Sequence, residues 1–484
     1  MGNTLVDQLI DQFRCDSEYD RTQSQAKRLS MYLDDFTSDV LELLKEQFHP
    51  KNYDRLYPMV ATTLNVFKKI VNLKSVLYKQ EADRIWYKRN GEDLDENFSN
   101  IINGTNIHST MQVVNKLTNV NNTSFCRIIG NKDEVRYEAV PSETVSVIQD
   151  ENDPTKIKAL LHAVTVTDSY KKLGTIAKAN GLINLSGDSD KYISKYFYWD
   201  AENYMVLDAE MAKVGEPQPN PYRDKNGNGI IPYVLFSSFP SVAGSIWNET
   251  INSDLYTGTL QTNVFQTYLN NLLKQAGYRQ LVLTGVSDDQ IAKLNEQVSD
   301  SLQPVVLSDK DAKIVALALS GDINEVKSCI HDHISEIADN HGVSYDSRTS
   351  SAQKMGAKAL QISQEQIDNI REEQTPLYRE SEKELMNKIV IVANADLNAN
   401  IDIEGSPAIN FAESEEYISD SDKLEIQKWN LEHNIISLVD VYKDNDPDCD
   451  STEDAIKRIE INKEINDKYT DSLGFIPEEA DDGN

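Results

Sequence analysis

Residue types that bind ions or move protons gather in three places along the chain. Asp224-Lys225-Asn226-Gly227-Asn228-Gly229 sets oxygen ligands at positions 1, 3 and 5 and a glycine at 6, which is how a calcium loop begins. Position 12 falls on Leu235, where such a loop needs a bidentate glutamate. The flanks read as strand and proline rather than helix, so the segment reads as a hairpin turn. The rival is a calcium-assisted hydrolase with Asp224, Asn226 and Asn228 as ligands. His331, Asp332 and His333 bring two imidazoles close in sequence. On a helix, residues two apart point to different faces, so a solvated or subunit-facing surface is expected rather than a shared ion. Carboxylate pairs suited to acid–base work also occur, but with 79 Asp and Glu in the chain they arise by chance. The sequence contains no Gly-x-x-x-x-Gly-Lys-Ser/Thr phosphate loop and no GxSxG, HExxH or GxGxxG. The expectation is a chain with no catalytic residue, no metal site and no cofactor.

Composition bounds the rest. The 484 residues allow two to four units at ~100–200 residues each. Hydrophobic residues make up 39% and charged residues 26%, enough apolar content for packed cores and too much for a disordered chain. No run approaches the roughly 18 apolar residues of a membrane span. The first 13 residues lack a basic n-region, so they do not read as a signal peptide, and synthesis inside a cell is expected. Cys15, Cys126, Cys329 and Cys449 lie far apart and read as free thiols. Net charge is −31. A protein that grips DNA tightly is basic, because affinity comes from neutralising phosphates. This chain repels DNA over most of its surface. Solubility is the plain reason for such a charge; a channel wall that must not hold sliding DNA is the sharper one.

Hydrophobic periodicity supplies the elements. Leu5, Leu9, Ile10 and Phe13 share one helical face, and after Pro58 so do Val66, Ile70, Leu73 and Leu77. The Asn-rich stretch 97–106 reads as a loop. Residues 125–129, 135–140, 145–148, 159–167, 192–199 and 204–208 are β-branched or aromatic runs separated by turn residues, an antiparallel β region. Residues 181–191 are a polar loop. Val264, Phe265, Leu269, Leu272 and Leu273 lie on a long helix ending at Gly277. A small α/β insert follows, with strands at 280–283, 304–307 and 314–319 and a helix capped by Ser287. A second long helix over 322–341 carries Ile323, Val326, Ile330, Ile334 and Ile337 on one face. Residues 342–351 are a polar loop, and 352–393 a long helix that Pro376 should kink or divide. Residues 401–411 suggest a hairpin turning at Gly405. Helices return over 420–470. One holds Leu424, Leu431, Ile435 and Leu438; another opens on Ser451 and Asp454 as a capping box and holds Ile456, Ile459 and Ile465.

This order of elements resembles the core of tailed-bacteriophage portal proteins of the siphophage-like kind, over about residues 58–469. Local stretches carry the same likeness. Gly229-Ile230-Ile231-Pro232-Tyr233-Val234-Leu235-Phe236 resembles the Gly-x-x-Pro strand ahead of the first stem helix. Gly321-Asp322, with the helix to His341 and Gly342, resembles the second stem helix. Ser350-Ser351-Ala352 resembles the small-residue lead into the kinked wing helix. His433-Asn434-Ile435-Ile436-Ser437, Asp446-Pro447-Asp448 and residues 453–460 resemble crown helices.

The resemblance implies an α+β, predominantly helical portal fold that assembles into a ring, usually of twelve subunits, around a central channel. It implies a wing (1–254, a helical N-terminus plus a β-rich region), a first stem helix (255–276), an α/β clip (277–318) and a second stem helix (319–342). A tunnel loop (343–351), a kinked helix and hairpin returning to the wing (352–419), crown helices (420–470) and an acidic tail (471–484) complete it. Such proteins sit at one vertex of the virion capsid after synthesis in the host cytoplasm. Their partners are the major capsid and scaffolding proteins, the terminase large subunit and a head-completion or adaptor protein. Double-stranded DNA passes through without sequence preference, and no membrane is involved. ATP hydrolysis belongs to the motor, which agrees with the missing phosphate loop. The clip insert is short and only a short tail follows the crown, a departure from the family pattern.

Roles for single residues follow from that likeness. Ile323, Val326, Ile330, Ile334 and Ile337 would pack the stem against neighbouring helices. Ser344, Tyr345, Arg348, Thr349 and Lys354 would form the tunnel loop and its margin. There Arg348, with Lys354 and Lys358 beyond it, makes brief phosphate contacts or pairs with Asp346 or a neighbouring subunit's acid. Asp288, Asp289, Lys293 and Glu296 would face the terminase or adaptor. A non-portal virion scaffold or adaptor is the remaining alternative, and it lacks an axial pore.

Overall fold

The structure is a computed structural model that describes residues 4–167, 191–241, 244–277, 282–284, 305–307, 323–344, 357–412, 427–429, 431–433, 435–445 and 452–469. It is 52% helical and 19% strand, the α+β, predominantly helical class expected. By contact it divides into two units, residues 1–354 with 362–414, and 355–361 with 415–484.

The first unit opens on α1 (Leu5–Phe13), α2 (Asp16–Tyr32), α3 (Thr37–Gln47), α4 (Pro50–Leu56) and α5 (Val66–Lys74). Thr4 and Asp7 cap α1 reciprocally, satisfying two of the N–H groups that every helix start leaves over. The stripe expected from Val66 to Leu77 is shorter than its periodicity suggested. α5 stops at Lys74, and Leu77 is buried in a different core from Val66 and Ile70. The stretch 97–106 is not simply a loop: it holds α6 (Glu96–Ile102). Asp95 accepts a hydrogen bond from Asn97 N at 3.1 Å, and Phe98 is fully buried. The cap and the anchor together outweigh a helix-averse composition. α7 (Ile107–Asn121) follows and ends at Asn122 in the left-handed region, φ 63°.

The strands are β1 (Asp83–Tyr87), β2 (Thr123–Gly130), β3 (Val135–Pro141), β4 (Val145–Gln149), β5 (Ile157–Thr167), β6 (Lys191–Asp200), β7 (Asn203–Asp208), β8 (Gln218–Pro219), β9 (Tyr233–Ser237), β10 (Val282–Thr284), β11 (Val305–Leu307) and β12 (Ser406–Asn410). β4 to β8 form an antiparallel meander, and β3-β2-β9 a second antiparallel sheet. Residues 401–411 do not fold into a hairpin of their own. β12 pairs antiparallel with β1, from Asp83 opposite Asn410 to Tyr87 opposite Ser406. Gly405 permits this, since a Cβ there would stand 2.3 Å from Trp86 Nε1.

Three long helices complete the unit: α8 (Ser253–Gly277), α9 (Ile323–Asn340) and α10 (Ala357–Leu397), the last belonging to it from Ile362 onward. Pro376 lies inside α10 without dividing it. The cores follow the layers. Val6, Leu9 and Phe13 of α1 lie against Leu161, Tyr196 and Tyr198 of the meander. A second core joins the β3-β2-β9 sheet to α7 and the later part of α10. A third gathers Met31, Val40, Val66, Ile70, Val264 and Ile334 from α2, α3, α5, α8 and α9. Each side chain buried in this way contributes about 1.5–3 kcal/mol.

In the second unit, α11 (Leu438–Asn445) and α12 (Thr452–Tyr469) are the main elements. Leu438 begins a helix rather than ending one. Ser437 N and Oγ both donate to Asp440 Oδ2, at 2.8 and 2.7 Å, so Ile435 lies ahead of a cap and does not share a helix with Leu438. Leu424, Ser451, the helix expected after Ser287, the strand expected at 314–319, the loop at 181–190 and the acidic tail lie outside the described residues.

Candidate functional site

The approach to α8 is built from asparagines. Asn122 Nδ2 donates to Asn248 O at 3.0 Å and Ile251 O at 2.8 Å, and its Oδ1 accepts from Asn252 Nδ2 at 2.7 Å. All three asparagines have positive φ (63°, 49° and 62°), a conformation their side chains tolerate better than most. Arg28 Nη2 donates to Glu249 O at 2.7 Å, so α2 also fixes the segment that leads into the helix.

Along its length α8 reads the backbone of residues 60–67. Ala61 N donates to Thr267 Oγ1 at 2.9 Å, Leu64 N to Asn263 Oδ1 at 3.2 Å and Phe67 N to Thr259 Oγ1 at 2.9 Å. Asn263 Nδ2 returns a bond to Leu64 O at 2.9 Å. Thr259, Asn263 and Thr267 are fully buried and four residues apart, one above the other on one face. They satisfy the irregular stretch 60–65 and the first turn of α5. Sequence reading missed this ladder. Its signal was a Thr-x-x-x-Asn-x-x-x-Thr stripe inside a helix whose only charged residues are Asp254 and Lys274.

α8 and α9 run antiparallel. Asp254 Oδ2 lies 3.3 Å from His341 Nε2 at one end. A Cβ on Gly258 would stand 2.6 Å from Ile337 Cδ1, so that glycine sets the closest approach. Farther along, the rings of Phe265 and His333 meet edge-on at 5.6 Å. Between the two helices in chain order, β10 and β11 pair in parallel.

The stripe on α9 is placed as follows. Ile330, Ile334 and Ile337 are buried, and Ile323 and Val326 are half-buried against the same core. The helices that cover them belong to the same chain. The opposite face carries Glu325, Asp332, Glu336 and Asp339, all exposed. Their spacing of seven, four and three residues sets them on one line, about half a turn from the isoleucines at 100° per residue. On α8, Phe265, Tyr268 and Leu273 are exposed as well.

Other sequence candidates separate from this pair. His331 Nδ1 lies 4.0 Å from Asp332 Oδ1, whereas His333 turns to Phe265, so the two imidazoles diverge. Among the described residues no group of three or more His, Cys, Asp or Glu comes together to hold a metal ion. The Asp224 segment forms a tight turn closed by an antiparallel bridge between Arg223 and Gly229. Asp224 Oδ1 accepts from Asn226 N at 2.9 Å and Asn228 N at 2.7 Å, and Oδ2 from Asn228 Nδ2 at 3.1 Å, which commits that carboxylate to its own turn. Ser344 Oγ bonds Gln366 Oε1 at 2.7 Å. Tyr345, Asp346, Arg348, Thr349 and Lys354, and Asp288, Asp289, Lys293 and Glu296, lie outside the described residues. No described helix is long and apolar enough to cross a membrane.

No protein-family model matches the chain, and no curated protein matches it. Among solved structures it is similar to a chain in the neck of an empty GTA particle computed with C6 symmetry. The identity is 10% and the TM-score 0.33, over 78% of this chain and 87% of that one.

Proposed function

We propose that this chain is the portal subunit of a tailed-phage-type virion, a ring-forming channel for double-stranded DNA with no bond-breaking step of its own. One observation carries the reading: the antiparallel α8–α9 pair is buried along one side, its α9 member carries a line of acids along the other, and the β10–β11 pair lies between the two helices in chain order. Copies associate side by side through this pair, and the line of Glu325, Asp332, Glu336 and Asp339 turns toward the lumen. Each acid then becomes a ring of negative charge. Phosphates are held off within roughly one Debye length, about 8–10 Å, so DNA slides with little adhesion. The clip around Asp288, Asp289, Lys293 and Glu296 meets the terminase or an adaptor. Arg348 touches phosphates in passing, and capsid and scaffolding proteins surround the wing.

The experiment is to weigh and image the purified full chain. A ring with an axial hole is expected, of about 660 kDa for twelve copies of the 54.7 kDa chain. A single subunit at every concentration, or an assembly closed on its axis, overturns the reading.

A further inference from the structure

The last turn of α9 is fastened at several points. Gly342 takes φ 68° and ends the helix. Val343 N returns to Ala338 O at 3.1 Å, and its side chain is buried. Ser344 is tied to Gln366. Between exposed Asn340 and Gly342, His341 turns inward, and its side chain is only 4% exposed.

The groups around the imidazole come from each element packed there. Asp254 at the start of α8 presents Oδ2 at 3.3 Å to Nε2, and the buried Nε2 makes no hydrogen bond. Lys74, the last residue of α5, faces it as a cation, and Lys74 in turn feels Asp254 and Glu373 of α10. We infer that His341 is a proton-operated latch at the end of α9: neutral, it fills the junction of α5, α8 and α9 and fastens the turn 341–344; protonated, it is driven out and the turn loosens.

Two influences oppose each other at this site. Asp254 and the terminal carbonyls of α9 favour a cation. Burial and the Lys74 ammonium favour the neutral ring. Asp254 is half-exposed and therefore screened, so burial first and Lys74 second hold the His341 pKa below its ordinary value, with Asp254 a partial offset. A histidine whose folded pKa is depressed gives its full stabilisation above the unfolded value, about 6.5. That stabilisation is lost as pH falls below it. The inference concerns this junction alone and stands whether or not the chain forms a channel.

Hydrogen exchange of the amides at 338–344, corrected for intrinsic rates, tests it on the full chain at about pH 7.5 and about pH 5.5. Exchange is expected to rise severalfold in acid as the turn loosens. His341→Gln should abolish the response. Lys74→Gln should move its midpoint to higher pH, because the repelling cation is gone. Equal protection of the unaltered chain at both pH values overturns the latch, and so does an unchanged acid response in His341→Gln. Should His341→Gln fail to fold, an unmoved midpoint in Lys74→Gln overturns it alone.

Discussion

The later half of α10 and the α8–α9 pair place their acids differently. Beyond Pro376, Glu382, Leu385, Met386, Ile389, Val390 and Val392 of α10 are buried, while Glu380, Lys383, Glu384 and Asn387 face water. The buried acid, Glu382, is answered inside the chain. Arg84 donates to it from Nη2 at 2.5 Å and from Nε at 2.9 Å, and Tyr78 Oη donates at 2.7 Å. α9 buries a single stripe and leaves a line of acids in water. A buried acid answered by Arg84 and Tyr78 has completed its contacts within one chain. A helix with a charged line left over does little with that line for its own folding, which frees the charges for what lies outside. Changes at the buried Glu382 cluster should therefore unfold the protein, and changes to the acidic line should not.

The largest effect is expected at Glu382. Removing one partner of a buried ion pair strands the other charge, so Glu382→Ala should cost about 3–5 kcal/mol by denaturant unfolding. A loss below about 1 kcal/mol would erase the contrast. Next comes pH. His162 is buried with Nδ1 3.0 Å from Tyr233 Oη. Burial first, then the Arg127 guanidinium, push its pKa down to about 3. The unfolded chain binds that proton near pH 6.5, whereas the folded one resists until about pH 3. Stability should therefore fall across that window, by up to about 5 kcal/mol. His162→Phe should flatten the slope, and an unaltered slope would assign the acid sensitivity elsewhere. Third is the ladder. Asn263→Leu strands both backbone groups of Leu64 and should cost about 1–3 kcal/mol, read as a shifted denaturation midpoint. The smallest effect is on the acidic line. Asp332→Asn with Glu336→Gln should change folding stability by no more than about 0.5 kcal/mol; on the proposed channel reading, DNA adhesion to assembled rings should also rise at low salt. If the pair destabilises like a core change, α9 is not a free face.

Much of this was legible from periodicity, which is local. The strands from Thr123 to Asp208 and the stripe from Ile323 to Ile337 announce themselves at spacings of two and of three to four. Partnership across distance does not. Nothing near Asp83–Tyr87 says that its partner is Ser406–Asn410, because either run is equally suited to a hairpin. Thr259, Asn263 and Thr267 look like ordinary polar residues until the irregular stretch 60–65 and the first turn of α5 are seen beside them. α6 was hidden because asparagine propensity was weighed without its Asp95 cap. At the site, the direction of His333 and His341 depends on Phe265 and Asp254, which a count along one helix does not reveal. The Asp224 turn was read correctly from its glycines and flanks, since both the turn and its carboxylate bonds are local.

The pairing of β1 with β12 has a consequence for how the chain comes into being. One edge of that two-stranded ribbon leaves the ribosome early and waits, unmatched, while everything from α6 to α10 is made. Contacts that span so much sequence form late and slowly. Until residue 410 emerges, Trp86 and its neighbours have no ribbon partner. The ribbon therefore closes only once residue 410 is in place, and a chain cut short anywhere in α8 or α9 leaves β1 without its partner strand.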